Sequence, residues 1–201
     1  DKAIKLDPIN AEAYRGRGRA YNNLERYARA VDAFDKALEL NPSCAGTYRR
    51  RGSAYDSLAR YEQAIEDFDK AIEINPSYAD AYAGRGRAYR KLERYERAIE
   101  DLDKAIEINP SYAYAYQLRG CTYNFLEQYE GAIEDFDKAI ELDSSYAELH
   151  EERSSAQHRL AARIESEEQI ADCDKAIGLD QSDADSYYRR GRAYRELKRY
   201  E

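Results

Sequence analysis

The chain has four prolines, Pro8, Pro42, Pro76 and Pro110, and they stand 34 residues apart, with Ser144 in the next slot. A fixed period of this length constrains the fold more than composition does, because a chain that repeats itself builds one supersecondary unit many times and stacks the copies. The segment Asp69 to Tyr89, DKAIEINPSYADAYAGRGRAY, shows the unit most clearly. Its first six residues read as the end of an amphipathic helix, which Asn75-Pro76 stops, since proline disfavours helical geometry in the residue before it. Ser77 with Asp80, Ser145 with Glu148 and Ser182 with Asp185 predict capping-box starts for the helices that follow. Tyr82, Gly86, Tyr89 and Leu92 recur at spacings of three and four, so they share one helix face. Each repeat is therefore expected to hold two helices.

Seven typed positions recur in register. They are Tyr14, Gly18, Tyr21, Ala30, Phe34, Ala37 and Pro42; then Tyr48, Gly52, Tyr55, Ala64, Phe68, Ala71 and Pro76; then Tyr82, Gly86, Tyr89, Ala98, Leu102, Ala105 and Pro110. This pattern resembles the tetratricopeptide repeat (TPR) family and covers nearly the whole chain. The resemblance implies an all-α, right-handed superhelical solenoid of antiparallel helix pairs, with first helices lining a concave groove and second helices outside. The expected organisation is a single solenoid over 1–201. It comprises a half repeat 1–10, repeats 11–44, 45–78, 79–112 and 113–146, a degenerate 37-residue repeat 147–183, and the first helix of a further repeat 184–201. Such a fold specifies architecture far better than function.

With 36 % charged residues and few glycines and prolines, the composition suits a solvated helical array. No apolar run approaches a membrane span and nothing resembles a signal peptide. Three cysteines without paired spacing argue against a disulfide framework, so a reducing, cytoplasmic location is the expectation. A net charge of −8 argues against a general nucleic-acid binder. The chain lacks methionine, opens on the tail of a second helix and stops where another should begin, so both ends are expected to be cut faces. Uncapped faces leave room for end-to-end self-association and for a flanking catalytic or membrane-bound domain.

Eighteen of the 20 tyrosines fall at four register positions, including Tyr78, Tyr112 and Tyr146 in the inter-repeat loops. An aromatic stripe at helical spacing reads as core. Glycines between the stripe residues, Gly18, Gly52, Gly86, Gly120 and Gly191, are expected to admit the facing helix. Gly16-Arg17-Gly18 and Gly84-Arg85-Gly86 lack the preceding strand that a phosphate cradle requires. A second ladder sets Arg17, Arg51, Arg85, Arg119, Arg153 and Arg190 on first helices against Asp1, Asp35, Asp69, Asp103, Asp137 and Asp174 on second helices. Each arginine is predicted to reach an acid on a neighbouring repeat's second helix; a phosphate-binding row is the lesser alternative. Acids such as Glu66-Asp67 and Glu100-Asp101 read as a solvated outer face.

The family resemblance implies that ligand contacts come from first-helix positions off this stripe. In repeats two to four these include Arg15, Arg19, Asn22, Arg49, Arg50, Ser53, Arg87, Arg90 and Lys91, with Glu12, Asp56 and Asp80 as the acids. Repeat five instead offers Tyr114, Gln117, Leu118, Cys121, Asn124 and Phe125, and repeat six Glu148, Glu151 and Glu152. A basic zone opposing the chain's overall charge suits an acidic peptide or protein segment, with an aromatic or apolar side chain received near Tyr114, Leu118 and Phe125. The plainer alternative is solubilising surface. The chaperone-adaptor carboxylate clamp is matched poorly by Arg15, Arg19, Arg50, Asp80 and Gly84. The O-GlcNAc transferase asparagine ladder is absent, its positions reading Gly16, Arg50, Gly84, Leu118 and Glu152.

In repeat six His150, Ser154, Gln157 and Gln169 replace Tyr, Gly, Tyr and Ala, and three residues are added. The expectation is a longer turn within Ala161 to Glu168, through divergence or as a hinge. His150 and His158 complete no metal set, HEERS is not HExxH, and neither Cys121 nor Cys173 reads as a catalytic thiol. The sequence therefore implies a non-catalytic, cofactor-free interaction scaffold. A regulatory or substrate-recruiting arm of a larger enzyme is the alternative, and single-stranded RNA along the basic zone a third reading, weakened by the acidic repeat six.

Overall fold

The computed structural model describes residues 2–145 and 148–197, so Asp1, Tyr146 and Tyr200 lie outside the described residues. All elements among the described residues are helices, gathered into two compact units, 1–119 and 120–201. In the first unit α1 (Lys2–Leu6) precedes three antiparallel pairs: α2 (Ala11–Asn23) with α3 (Tyr27–Leu40), α4 (Ala45–Ser57) with α5 (Tyr61–Ile74), and α6 (Ala79–Lys91) with α7 (Tyr95–Ile108). Successive pairs dock as α3 on α4 and α5 on α6, and the first helices meet as α2 on α4 and α4 on α6. α8 (Ala113–Phe125) crosses from the first unit into the second.

Two local devices make the hairpins. Within each pair, Glu25, Ala59, Glu93 and Glu127 adopt left-handed backbone at φ 55–58°. The strain is held because the next N–H, of Arg26, Arg60, Arg94 or Gln128, reaches back to a tyrosine carbonyl at 2.9 Å. Between pairs, Asn41, Asn75 and Asn109 are extended before proline, and their side chains accept the N–H of Ser43, Ser77 and Ser111 at 3.1–3.2 Å. The expected Ser77–Asp80 capping box does not form: the N-cap of α6 is Tyr78, without a side-chain cap. The asparagine has already taken the N–H that orients Ser77. At α11 (Ala184–Leu197) the cap is Asp183, which accepts from Ser186 N–H at 3.1 Å.

The fully buried large side chains include Phe34, Phe68, Leu102 and Phe136, one per second helix, set among alanines. A Cβ on Gly18 would stand 2.5 Å from the Phe34 ring, and one on Gly84 2.5 Å from Phe68. Phe68 also lies against Gly52, so one ring joins its own pair to the next. Among the described tyrosines only Tyr129 is fully buried. The other stripe tyrosines of the first helices form the rim of this core, where the hydroxyl stays wet, and Tyr187 and Tyr194 are exposed.

The arginine ladder finds its acids. Arg51 pairs with Asp35 of the preceding pair at 2.5 Å and, through Nε and Nη2, bidentately with Asp67 of its own pair at 2.7 and 2.6 Å. Arg85 repeats this with Asp69 and Asp101. Arg119 reaches Asp103, Arg153 reaches Asp137 at 2.6 Å and Arg190 reaches Asp174 at 2.5 Å. Arg17, Arg51, Arg85, Arg119 and Arg190 also stack over a tyrosine three residues earlier, at 4.9–5.6 Å. Asp67 and Asp101, read from sequence as outer-face acids, are instead buried, because the guanidinium draws them in.

The second unit departs from the expected hairpin. After α9 (Tyr129–Leu142), repeat six runs through residues 148–179 as one 32-residue helix, α10 (Glu148–Leu179), about 48 Å long, which packs on α9 and on α11. Ala161 stands where Glu127 makes the left-handed turn, and Arg163 where Tyr129 is buried. Arg163 instead bonds the Glu127 carbonyl at 3.1 Å and Glu130 at 2.8 Å. His150 and Gln157, at positions where other repeats hold half-buried rim tyrosines, are exposed. A folded hairpin would bury these polar groups, whereas 161–168 contains no glycine, proline or asparagine to interrupt a helix.

Two stability measurements follow from this geometry. By urea unfolding, Asp67→Ala should cost about 3 kcal/mol, since it strands a largely buried guanidinium, and Asp35→Ala, whose carboxylate is 44 % exposed, at most about 1 kcal/mol. Ala59→Gly should stabilise by about 0.5–1 kcal/mol by relieving left-handed strain. At the equivalent position in α10, Ala161→Gly should destabilise by about 1 kcal/mol as a mid-helix glycine; a gain there would mean a turn rather than a helix.

Candidate functional site

In the first unit, α2 and α4 bring four arginines together. Arg15 is tied to Glu12 and donates to Cys44 Sγ at 3.3 Å, and Arg49 donates from Nε to Tyr78 Oη at 3.3 Å. Arg19 is exposed and Arg50 half-buried, and no carboxylate among the described residues pairs with Arg19, Arg49 or Arg50. Burial, together with the charges of Arg49, Arg19 and Arg15, pulls the Arg50 guanidinium below its ordinary pKa. Two neutral residues complete the slot. Asn22 is half-buried with Oδ1 unpartnered, and Ser53 donates its hydroxyl to the Arg49 carbonyl at 3.1 Å.

Between α4 and α6 the arrangement is different. Arg87 forms an ion pair with Asp56 and donates to Tyr114 Oη at 3.2 Å, so the positive charge expected in the open groove is already used. Burial pushes the Asp56 carboxyl up, against Arg87, Lys91 and Arg90, which pull it down. Lys91 is exposed, while Arg90 is half-buried with Nε unpartnered. Tyr114 is half-buried with its ring 6.2 Å from that of Tyr112, and Gln117 is half-buried on the same helix. Leu118, expected as an apolar groove contact, is 4 % exposed and packs with Ala83, Leu102, Ala105 and Ala115. Its register position faces the preceding second helix, as Gly84 faces Phe68, so it belongs to the core.

Sequence reasoning missed the inter-repeat residues. Tyr78, assigned to the core, reaches Arg49, and Cys44, one repeat earlier at the same register, reaches Arg15 in the same way. The half-buried Tyr112 hydroxyl hydrogen-bonds Asp80; burial and that acid push its pKa up. The recurrence of Tyr78 and Tyr112 immediately before a first helix was the available signal. In the second unit, Asn124 and Phe125 line a cleft of about 310 Å³ with Glu127, Glu152 and Arg159. Phe125 is 64 % exposed there. Among the described residues no group of three His, Cys, Asp or Glu could hold a metal ion, and no helix is long and apolar enough to cross a membrane.

A tetratricopeptide repeat profile matches residues 11–44, 45–78, 79–112 and 113–146, and a second profile of the same name matches 184–201. The chain belongs to the tetratricopeptide repeat family. The TPR matches leave out 147–183, the stretch spanned by α10. Among solved TPR-like structures, MamA is 31 % identical over 73 % of this chain and 86 % of its own, with a TM-score of 0.65. The first TPR of Spaghetti (RPAP3), bound to the HSP90 peptide SRMEEVD, is 27 % identical over 58 % of this chain and 93 % of its own, with a TM-score of 0.57. The thermophilic TPR protein TTC0263 from Thermus thermophilus has a TM-score of 0.67 over 92 % of this chain and 99 % of its own, and at 22 % identity shares the fold. A comparison with curated proteins finds no match.

One consequence for this TPR face is chemical. Burial opposes ionisation of Cys44, but hydrogen bonds from Thr47 and the Arg15 guanidinium outweigh it and hold the thiol below its ordinary pKa. Iodoacetamide should therefore modify Cys44 much faster than the buried Cys173, and the rise of its rate should begin at lower pH than for an ordinary thiol. Arg15→Gln should move that rise part of the way back to higher pH, the Thr47 hydrogen bonds remaining; peptide mapping after timed alkylation reads both effects.

Proposed function

We propose that the chain is a non-catalytic interaction module whose inner face over α2, α4 and α6 binds an acidic segment of a partner protein. The carrying observation is Arg50, half-buried among Arg15, Arg19 and Arg49, in a chain whose net charge is −8 and whose half-buried Arg51 and Arg85 have drawn in carboxylates. Arg19, Arg49 and Arg50, without a paired carboxylate among the described residues while Arg15 holds Glu12, favour an anion supplied from outside. The RPAP3 TPR supports the reading by likeness, since the peptide it holds, SRMEEVD, is itself acidic.

The test compares the parent with Arg19→Gln/Arg49→Gln/Arg50→Gln for binding of acidic and basic peptides by fluorescence anisotropy at two salt concentrations. Acidic peptides should bind the parent, weaken as salt rises, and lose at least tenfold, about 1.4 kcal/mol, in the triple variant. Equal binding by the two proteins, or preference for basic peptides, would refute the proposal.

A further inference from the structure

Repeat six leaves the arginine ladder half filled. Arg51 and Arg85 each hold two carboxylates, one from the preceding second helix and one, through Nε and Nη2, from the second helix of their own pair. Arg153 reaches Asp137 of α9 at 2.6 Å, but its Nε is buried without a partner. Its side chain is 33 % exposed, against 19 % and 20 % for Arg51 and Arg85. The acid that would complete it is present. Asp172 stands at the register of Asp67 and Asp101 once the three added residues are counted; it is exposed and forms no ion pair among the described residues. The two cannot meet within α10, which holds them about 28 Å apart along one continuous helix.

The fit is reciprocal. Arg153 and Asp172 lie on either side of the middle of α10, so two antiparallel α10 helices bring the arginine of each copy to the aspartate of the other at both ends. Ser154 and Asp172 are five helical turns apart and share one face. His158 and Glu168 flank that face at equal distances from the same midpoint, so the same pairing opposes histidine to glutamate; both are exposed. Close approach is sterically open. At Gly52 and Gly120 an added Cβ would stand 3.2 and 3.1 Å from the Cβ of the pair's own aspartate and against a phenylalanine ring, whereas Ser154, which carries that Cβ, has Cys173 at the ring's register.

We propose that two copies of the chain exchange the second half of α10, so that residues 169–179 of each serve as the second helix for residues 148–160 of the other. The extended α10 is already in the exchanged form. Exchange keeps the helix continuous, whereas a hairpin within one chain must break it in a stretch, 161–168, without glycine, proline or asparagine. His150 and Gln157 fall at the rim of the contact, where their polar ends reach water, so the interface is weaker than a tyrosine-lined pair and assembly is reversible.

Sedimentation equilibrium from micromolar to submillimolar chain reads the assembly of the parent and of Asp172→Arg, with circular dichroism melts to establish that both are folded. The parent should dimerise. Asp172→Arg, altered at an exposed side chain, should melt as the parent does and raise the dimer dissociation constant by about tenfold or more. Disulfide trapping locates the contact in chains carrying Cys44→Ser, Cys121→Ser and Cys173→Ala. Mild oxidation should link a Ser154→Cys chain to an Asp172→Cys chain, and a chain with both cysteines should link to a second copy rather than close on itself. A parent that stays monomeric, equal association by Asp172→Arg, failure of the mixed chains to link, or an internal disulfide in the double-cysteine chain would each overturn the exchange.

Discussion

The contact on which the repeat array depends is a single guanidinium gripping two second helices. Arg51 fixes α5 through a bidentate bond to buried Asp67 and fixes α3 through Asp35, while its flat face rests on Tyr48 and Tyr55. One side chain thereby ties a helix pair together and ties it to the pair before. Arginine suits this place because its fork is planar and its donors diverge, which lysine cannot reproduce. The apolar core explains why the helices pack, with Phe34 and Phe68 seated where only glycine leaves room. The directional ion pairs admit one register only.

The same rule explains the electrostatics of the inner face. In this fold an arginine that is partly buried acquires a carboxylate: Asp67 and Asp101 on second helices, Asp56 on a first helix. Arg49, Arg50 and Arg90 are exceptions, and Arg50 is surrounded by like charges. Charge counting along the sequence could not separate it from Arg87. Both are basic, both are off the packing stripe, and the acid that neutralises Arg87 lies 31 residues away. Pairing is a tertiary fact, and here it reduces a broad basic zone to one open slot.

The fold was legible because its signals are local and repeated. The period of the prolines, the glycines opposite Phe34 and Phe68 and the matched arginine and aspartate ladders each recur in register, so an error in one repeat is corrected by the next. Repeat six was not legible, for the converse reason. Its substitutions, His150, Ser154 and Gln157 for Tyr, Gly and Tyr and Arg163 for the turn-closing tyrosine, were visible. Whether they lengthen a turn or abolish it depends on what core is left for the hairpin to close over. With polar groups at those positions little is left, and backbone propensity, which usually yields to packing, decides for a continuous helix. Leu118 failed in the opposite sense: apolar and off the stripe, it looked like a groove contact, but its neighbour across the repeat boundary is the Leu102 cluster.

A groove in which every arginine had its own aspartate would be stable and inert, and one in which none did would repel itself. The face between α2 and α6 lies between these limits. Asp56 neutralises the second slot at the cost of burying a carboxylate; in the first, Glu12 pairs with Arg15, while Tyr78 gives Arg49 a weak acceptor that orients it without discharging it. A ligand carboxylate readily displaces a hydroxyl or thiol acceptor, whereas a resident carboxylate must be displaced at nearly equal strength. The first slot is thus pre-oriented and unsatisfied, and the second is satisfied. The two slots differ in the acceptors beside their arginines: a thiol, a hydroxyl and an exposed carboxylate in the first, a buried carboxylate in the second.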